Sequence, residues 1–463
     1  MADSGNRAPP PHILIITFPA IGHIFPQLRL AHQFLTAGVT LTFMLTPKNL
    51  KFLQPLQRLH PPGKFQTLVL PFPDIPGMPP GAENLIEVPG LHFAPLFIQA
   101  YAELCGPVGE WIESHPDPPV AIMSDVFFSE ATQRLAVRLG IKFVGFSPVN
   151  AHSLYCCWGE GGESGICRAN MRSWALVFNT FEGLDDLNVE FYKERIDGGR
   201  VYAVGPLLSL ESHTSGPIKH EVIEWLNDSS HSDNSVVYVG FGTQVNFSPW
   251  QVKAIADALD ASGCKFIWAV KVPLGQNDHT DLTAIGFPEG LAERMAEEKR
   301  GIVTTEWVPQ RAILNHPAVG AYLTHSGWNS VVEGLIGGVV MLLWPMQADH
   351  HDNAKRLADE LNVAVRVCAG LEAVPDSAQL AKALADATSA DGGYAEVRKG
   401  AVELGKKALS AIDEENAGSS IRSVEEFVKQ VKALRSPEFD DTTTASIMSK
   451  REGLEFESGL ESY

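Results

Sequence analysis

Apolar residues along the chain fall into short β-branched runs separated by longer stretches with a helical period. "HILIITF" at 12–18 reads as a buried strand, 23–37 as a helix, and "VTLTFML" at 39–45 as a second strand. "VAIMSD" (120–125), a helix near 128–139, "IKFVGF" (141–146) and "WALVFN" (174–179) continue the alternation. Such a pattern predicts a parallel sheet wrapped by helices. At 205–220, "GPLLSLESHTSGPIKH" interrupts it with the Gly, Pro, Ser and His of a linker. The cycle then restarts with "SVVYVGFG" (235–242), a helix over 248–262, and strands near 264–270, 301–305, 318–324 and 339–343.

Length supports two units, since 463 residues exceed the roughly 250–300 at which one core stops growing. The predicted organisation is an N-terminal Rossmann-like domain over 1–205 and a linker over 206–219. A C-terminal Rossmann-like domain follows over 220–418, then a last helix over 419–435 packing back on the first domain. The aperiodic stretch 436–463 predicts a disordered tail.

Charge and cysteine usage narrow the function. A formal net charge of -19 argues against nucleic acid or an anionic membrane as partner. None of the six cysteines forms a CxxC pair, which argues against a zinc ribbon or thioredoxin-like site and for reduced thiols. "HILIITFPAIG" lacks the basic flank and small-residue cleavage site of a signal peptide, and no run approaches the roughly 18 apolar residues of a membrane span. A cytoplasmic monomer without membrane insertion is expected.

The chemistry-bearing residues sit where strands end and helices begin, where an open α/β sheet binds its ligands. "HSGWNS" (325–330) is one such joint: Gly327 admits a close ligand, while His325, Asn329 and Ser330 offer donors, or Asn329 and Ser330 simply cap the helix. Trp307 and Gln310 in "WVPQ" can stack on a base and bond a ribose, Glu333 lies one turn beyond Ser330, and Asp349 and His350 in "WPMQADHHDN" suit adjacent sugar hydroxyls. Adjacent histidines at 350 and 351 lack the i, i+4 spacing of a zinc site, and no metal or cofactor is expected. In "FPAIGHIFP", His23 opens the first helix, whose N-terminus disfavours imidazolium and keeps the ring able to accept a proton. Asp125 ends another strand of the same domain, where it can orient His23 or cap a helix.

The 44 residues from Trp307 to His350 resemble the plant secondary-product signature of family 1 UDP-dependent glycosyltransferases, with W-x-P-Q, H-x-G-W-N-S, E and W-P-x-x-x-D in order. The similarity extends to "FPAIGHIFP" and "VYVGFGT" and is closest to the subgroup acting on flavonols and benzoates. It implies a GT-B fold, two Rossmann-like doubly wound domains facing across a cleft, with the UDP-sugar held as co-substrate mainly by the second. Trp307 would then stack on uracil and the Val308 backbone bond it. Gln310 and Glu333 would hold the ribose, and His325, Asn329, Ser330 and Thr243 the diphosphate. Trp328 and Asp349 would face the sugar. His23 would be the general base of an inverting transfer, oriented by Asp125.

Two positions depart from the family pattern. Ser326 stands where Cys is usual, and His350 where Gln closes the signature in most glucosyltransferases. Glucose is therefore the leading donor, with rhamnose, galactose or a pentose as alternatives. On the acceptor side, Phe93, Phe97, Phe127, Phe128, Ser147 and His152 are candidates to line a pocket for a small lipophilic acceptor, a flavonoid or other phenolic. Two competing readings are a dinucleotide-dependent oxidoreductase and a catalytically silent sugar-nucleotide-binding protein. Against the first, neither leading strand is followed by G-x-G-x-x-G; against the second, both His23 and Asp125 are present.

Overall fold

The computed structural model describes residues 9–158, 164–210, 220–228, 231–271, 282–389 and 392–435. The tail 436–463 and linker residues 211–219 lie outside them. The first sheet comprises β1 (His12–Ile16), β2 (Thr40–Leu45), β3 (Gln66–Val69), β4 (Ala121–Asp125), β5 (Lys142–Ser147), β6 (Ala175–Phe178) and β7 (Val201–Ala203), in the order β3-β2-β1-β4-β5-β6-β7. The second comprises β8 (Val236–Gly240), β9 (Lys265–Ala269), β10 (Gly301–Thr304), β11 (Val319–Thr324), β12 (Val340–Leu343) and β13 (Ala364–Arg366), in the order β10-β9-β8-β11-β12-β13. All their pairings are parallel. Helices cover both faces, so every residue of β1, β4, β8 and β11 is buried, and these strands read as largely apolar runs, polar mainly at their ends, rather than as alternation.

Three strands that periodicity does not mark, β3, β7 and β13, are each an edge strand of three or four residues. An edge strand is shielded on fewer sides, and "QTLV" in β3 is largely solvent-exposed, so it carries little of the apolar signal.

The last helix, Ser419–Ala433, places Val424, Phe427, Val428 and Val431 in the core of the N-terminal domain. Phe427 stacks on Phe34 at 5.1 Å and meets the edge of Tyr202 at 5.3 Å. A second tie crosses in the other direction: Phe181 and Leu184, from the end of the first sheet, pack into the C-terminal core. The two sheets each reverse their strand order once, between β1 and β4 in the first and between β8 and β11 in the second. Those reversals are where crevices open at the strand ends.

Candidate active site

His23 lies in the first turn of the helix Ile21–Thr36 that follows β1, and Asp125 is the last residue of β4, so the first sheet's reversal brings them together. Asp125 is fully buried; its Oδ2 accepts from His23 Nδ1 at 2.7 Å and its Oδ1 from the Phe127 N–H at 3.0 Å. A carboxylate can only accept here, so Nδ1 carries the proton and Nε2 keeps its lone pair. The His23 side chain remains 19% exposed, flanked by the rings of Phe18 (5.0 Å) and Phe127 (5.6 Å).

The same helix explains the proline in "FPAIGHIFP". Pro26 lies inside it and has no N–H to give to the carbonyl four residues back, that of Gly22. Asn329 of the C-terminal domain donates to that carbonyl from Nδ2 at 3.1 Å. A residue of the "HSGWNS" joint is thereby fastened beside His23.

That joint lies at the second sheet's reversal. The His325 ring is wedged between two glycines: a Cβ on Gly242 would fall 2.9 Å from the ring and one on Gly327 2.5 Å from it. Thr243 follows Gly242 in the turn after β8. His350 meets His325 edge-on at 4.6 Å. Burial holds both imidazoles neutral, driving His325 well below the usual histidine range and His350 to about 3. The Gln347 N–H donates to His350 Nδ1 at 3.3 Å, which leaves Nε2 as the protonated nitrogen, so His350 presents a donor and no acceptor. Asp349 is partly buried, and desolvation raises its carboxyl pKa against the opposing pull of bonds from Asn353 Nδ2 (2.6 Å) and the Trp328 N–H (3.1 Å) and of the nearby His23. Ser326 (φ 71°) and Ala348 (φ 50°) are both non-glycine residues in the left-handed region, strain of the kind that collects at ligand clamps.

Trp307 holds its indole 68% exposed although it is a large apolar group, as a stacking platform requires. Its carbonyl faces His220 Nε2 at 3.2 Å, and the Val308 carbonyl accepts from the Gln310 N–H at 2.8 Å. Gln310 is held from two sides. Its Oε1 accepts from the stacked Tyr238 and Tyr322 hydroxyls at 3.2 and 3.1 Å, while Nε2 reaches Glu333 at 2.8 Å and the buried Ser330 at 3.4 Å.

Comparison with known proteins decides the family. Residues 206–386 match the model described as UDP-glucoronosyl and UDP-glucosyl transferase. A flavonol 7-O-rhamnosyltransferase of Arabidopsis thaliana is 40% identical over 91% of this chain and 98% of its own, and the flavonol 3-O-glucosyltransferase UGT89B1 of the same plant is 38% identical over 93% and 98%. The chain belongs to the plant UDP-glycosyltransferases. Its fold is GT-B: the crystal structure of Arabidopsis thaliana UGT89C1 complexed with UDP-L-rhamnose superposes with a TM-score of 0.81 at 39% identity, covering 92% of this chain and all of that one. The complex of UGT89C1 with quercetin gives 0.80 at 39% identity, over 91% and 100%.

Against this glycosyltransferase frame, some of the expected contacts relocate. The Trp328 indole does not face the cleft: it is 4% exposed and donates Nε1–H to the Asn179 carbonyl at 2.6 Å, sealing the domains together. Only its backbone amide reaches Asp349. Among the acceptor candidates, Phe97 and Phe128 are core residues, the first packed on Phe18 and Phe72 and the second stacked on Tyr101 at 4.3 Å. Ser147 is buried and clips the turn after β5 by donating to the Val149 carbonyl, and His152 is buried with Nε2 3.5 Å from Cys156 Sγ. Phe127 is 39% exposed beside His23, and Phe93 is partly buried against His92. Sequence reasoning missed Phe18, His220, Tyr238, Tyr322 and Asn353. Phe18 alone was signalled locally, by its place at the end of the first apolar run. Among the described residues no group of three or more His, Cys, Asp or Glu is placed to hold a metal, and no helix is long and apolar enough to cross a membrane.

Proposed function

We propose that this enzyme transfers a sugar from a UDP-sugar to a hydroxyl of a small phenolic acceptor of the flavonol class, with inversion at the anomeric carbon. The observation that carries the proposal is the His23–Asp125 pair at 2.7 Å, beside the donor-side Asp349 and Asn329. The acceptor O–H gives its proton to His23 Nε2 as its oxygen bonds the anomeric carbon. The bond from that carbon to the UDP oxygen breaks, and the electron pair leaves with the diphosphate. Asp125 holds the ring in the receptive tautomer and stabilises the imidazolium that forms. Trp307, Gln310 and Glu333 take the uridine, and the joint around His325 and Gly327 takes the diphosphate, whose growing charge N–H dipoles stabilise. The exposed ring of Phe127, backed by the buried Phe18, offers an apolar edge for an aromatic acceptor. The flavonol class is supported by the names of the relatives and by the quercetin complex of UGT89C1.

As donor, UDP-rhamnose is favoured over UDP-glucose. A glutamine at position 350 would offer a sugar both a donor and an acceptor, whereas His350 offers Nε2–H alone. The relative that shares 40% identity is a rhamnosyltransferase, and UGT89C1 was crystallised with UDP-L-rhamnose. A panel of UDP-sugars with a flavonol, read by mass spectrometry, is the test; exclusive use of UDP-glucose would overturn the donor assignment. His350→Gln is expected to raise the glucose-to-rhamnose rate ratio about 5- to 150-fold, the worth of one unmatched polar contact. For the base, His23→Ala should cost about 10²–10⁴-fold in transfer while UDP affinity by calorimetry holds. Near-wild-type turnover would remove His23 from the mechanism.

A further inference from the structure

One carboxamide joins the donor corner to the opposite domain. Asn353 lies one turn beyond Asp349 on the helix His350–Ala354 and is 1% exposed. Its Oδ1 accepts two bonds from the N-terminal domain, from Asn150 Nδ2 at 2.7 Å and from Ser153 Oγ at 3.0 Å. Its Nδ2 gives two bonds within its own domain, to Asp349 Oδ2 at 2.6 Å and to the Ser326 carbonyl at 2.9 Å.

The orientation of both amides in this chain is fixed by backbone groups with only one possible role. The Ser153 N–H can only donate, and it donates to Asn150 Oδ1 at 2.7 Å, so Asn150 Nδ2 must face Asn353. The Ser326 carbonyl can only accept, so Asn353 Nδ2 must face it. A flip of either amide would set like against like at both ends. The N-terminal side is anchored in turn, since Asp185 Oδ2 accepts from the Ala151 N–H at 3.0 Å and from Thr180 Oγ1 at 2.8 Å at the start of the helix Ala151–Trp158.

We propose that Asn353 is a positioning residue for sugar transfer: it orients the Asp349 carboxylate toward the donor sugar and couples that orientation to the seating of the N-terminal helix Ala151–Trp158. This rests on the donor site proposed above. The Asn353 and Trp328 donors both fall on Oδ2, which sets the carboxylate plane and assigns Oδ1 to a sugar hydroxyl. The Ser326 carbonyl belongs to a residue in the left-handed region, and the second Nδ2 bond holds that turn of the diphosphate joint. Because Asn150 and Ser153 lie at the start of the helix Ala151–Trp158, the seating of that helix reaches Asp349 through the Asn353 amide.

The test separates sugar recognition from nucleotide recognition. Asn353→Ala should lower kcat/KM for the UDP-sugar about 10- to 100-fold, the size of a lost charge-assisted bond, while UDP affinity stays within about twofold because the uridine contacts lie elsewhere. In an Asp349→Ala background the same change should add nothing, since the two residues act as one unit. Asn150→Ala with Ser153→Ala, which leaves the Asp349 bond in place, should lower kcat about tenfold at unchanged UDP affinity. If Asp349→Ala leaves UDP-sugar use intact, the donor-site reading fails. If Asp349→Ala impairs transfer and Asn353→Ala does not, the positioning role alone is overturned. Parallel loss of UDP and UDP-sugar affinity in Asn353→Ala, with a lowered melting temperature, would reduce it to a structural residue. Wild-type turnover in the Asn150→Ala, Ser153→Ala variant would remove the coupling between domains.

Discussion

Ser326 shows what one atom costs in a buried joint. Its Oγ is buried with no hydrogen-bond partner, in a residue held at φ 71°. An unpartnered buried hydroxyl costs about 1–3 kcal/mol, whereas a buried thiol behaves as a small hydrophobe. Ser326→Cys is therefore expected to raise the melting temperature, by about 2–4 °C per kcal/mol for a domain of this size. Thermal unfolding of the two proteins side by side checks it; a variant that melts at or below the parent would mean the hydroxyl is not the liability. Residue identities of this kind were legible in the sequence, because the joint is local and its motif is dense. What the side chains do there was less so. Nothing local says that the Gln347 N–H fixes the tautomer of His350, or that the Trp328 indole turns away to Asn179, 149 positions distant in the chain.

At the scale of elements, the helix Ile21–Thr36 trades stability for a contact. Pro26 leaves the Gly22 carbonyl without its helical donor, and Asn329 takes the place. Proline inside a helix costs up to about 3 kcal/mol, so Pro26→Ala should stabilise the N-terminal domain. The alanine N–H would then compete with Asn329 for Gly22, and transfer should fall about tenfold with the melting temperature raised. A variant both more stable and fully active would show that the bridge to Asn329 contributes nothing to catalysis. The central strands were legible because continuous burial writes a continuous apolar run, and the helices Ile21–Thr36, Ser129–Leu139, Pro249–Ser262 and Ser419–Ala433 by their period, whereas the two longest, Ala94–Ser114 and Ala395–Ala411, were not. The edge strands β3, β7 and β13 were not, and neither was the depth of the aromatic residues. Phe127 and Phe128 are neighbours in sequence, yet one is 39% exposed beside His23 and the other is core, since a turn of 3₁₀ helix points them in different directions.

For the molecule as a whole, placing neutral histidines at the heart of the domains makes stability depend on pH. His12 at the start of β1 is fully buried, and burial lowers its pKa as it does those of His325 and His350. Each lies below the unfolded value near 6.5, so between the two values the unfolded chain binds a proton that the native protein does not, and stability falls as pH drops. With the native value for His350 at about 3, that residue alone removes about 2 kcal/mol of stability at pH 5 relative to pH 8. Burial raises the pKa of Asp185 and Asp349 instead, and a raised carboxyl acts in the opposite sense, its stabilising effect growing as pH falls toward the unfolded value near 3.8. A comparison at one position isolates the histidine. Denaturant unfolding of the parent and of His350→Gln at pH 8, 6.5 and 5 should give stability curves that diverge only below about 6.5, with the glutamine variant losing less by about 2 kcal/mol at pH 5. Parallel curves would mean that His350 takes up a proton in the folded protein, and that it is not held as a neutral N–H donor.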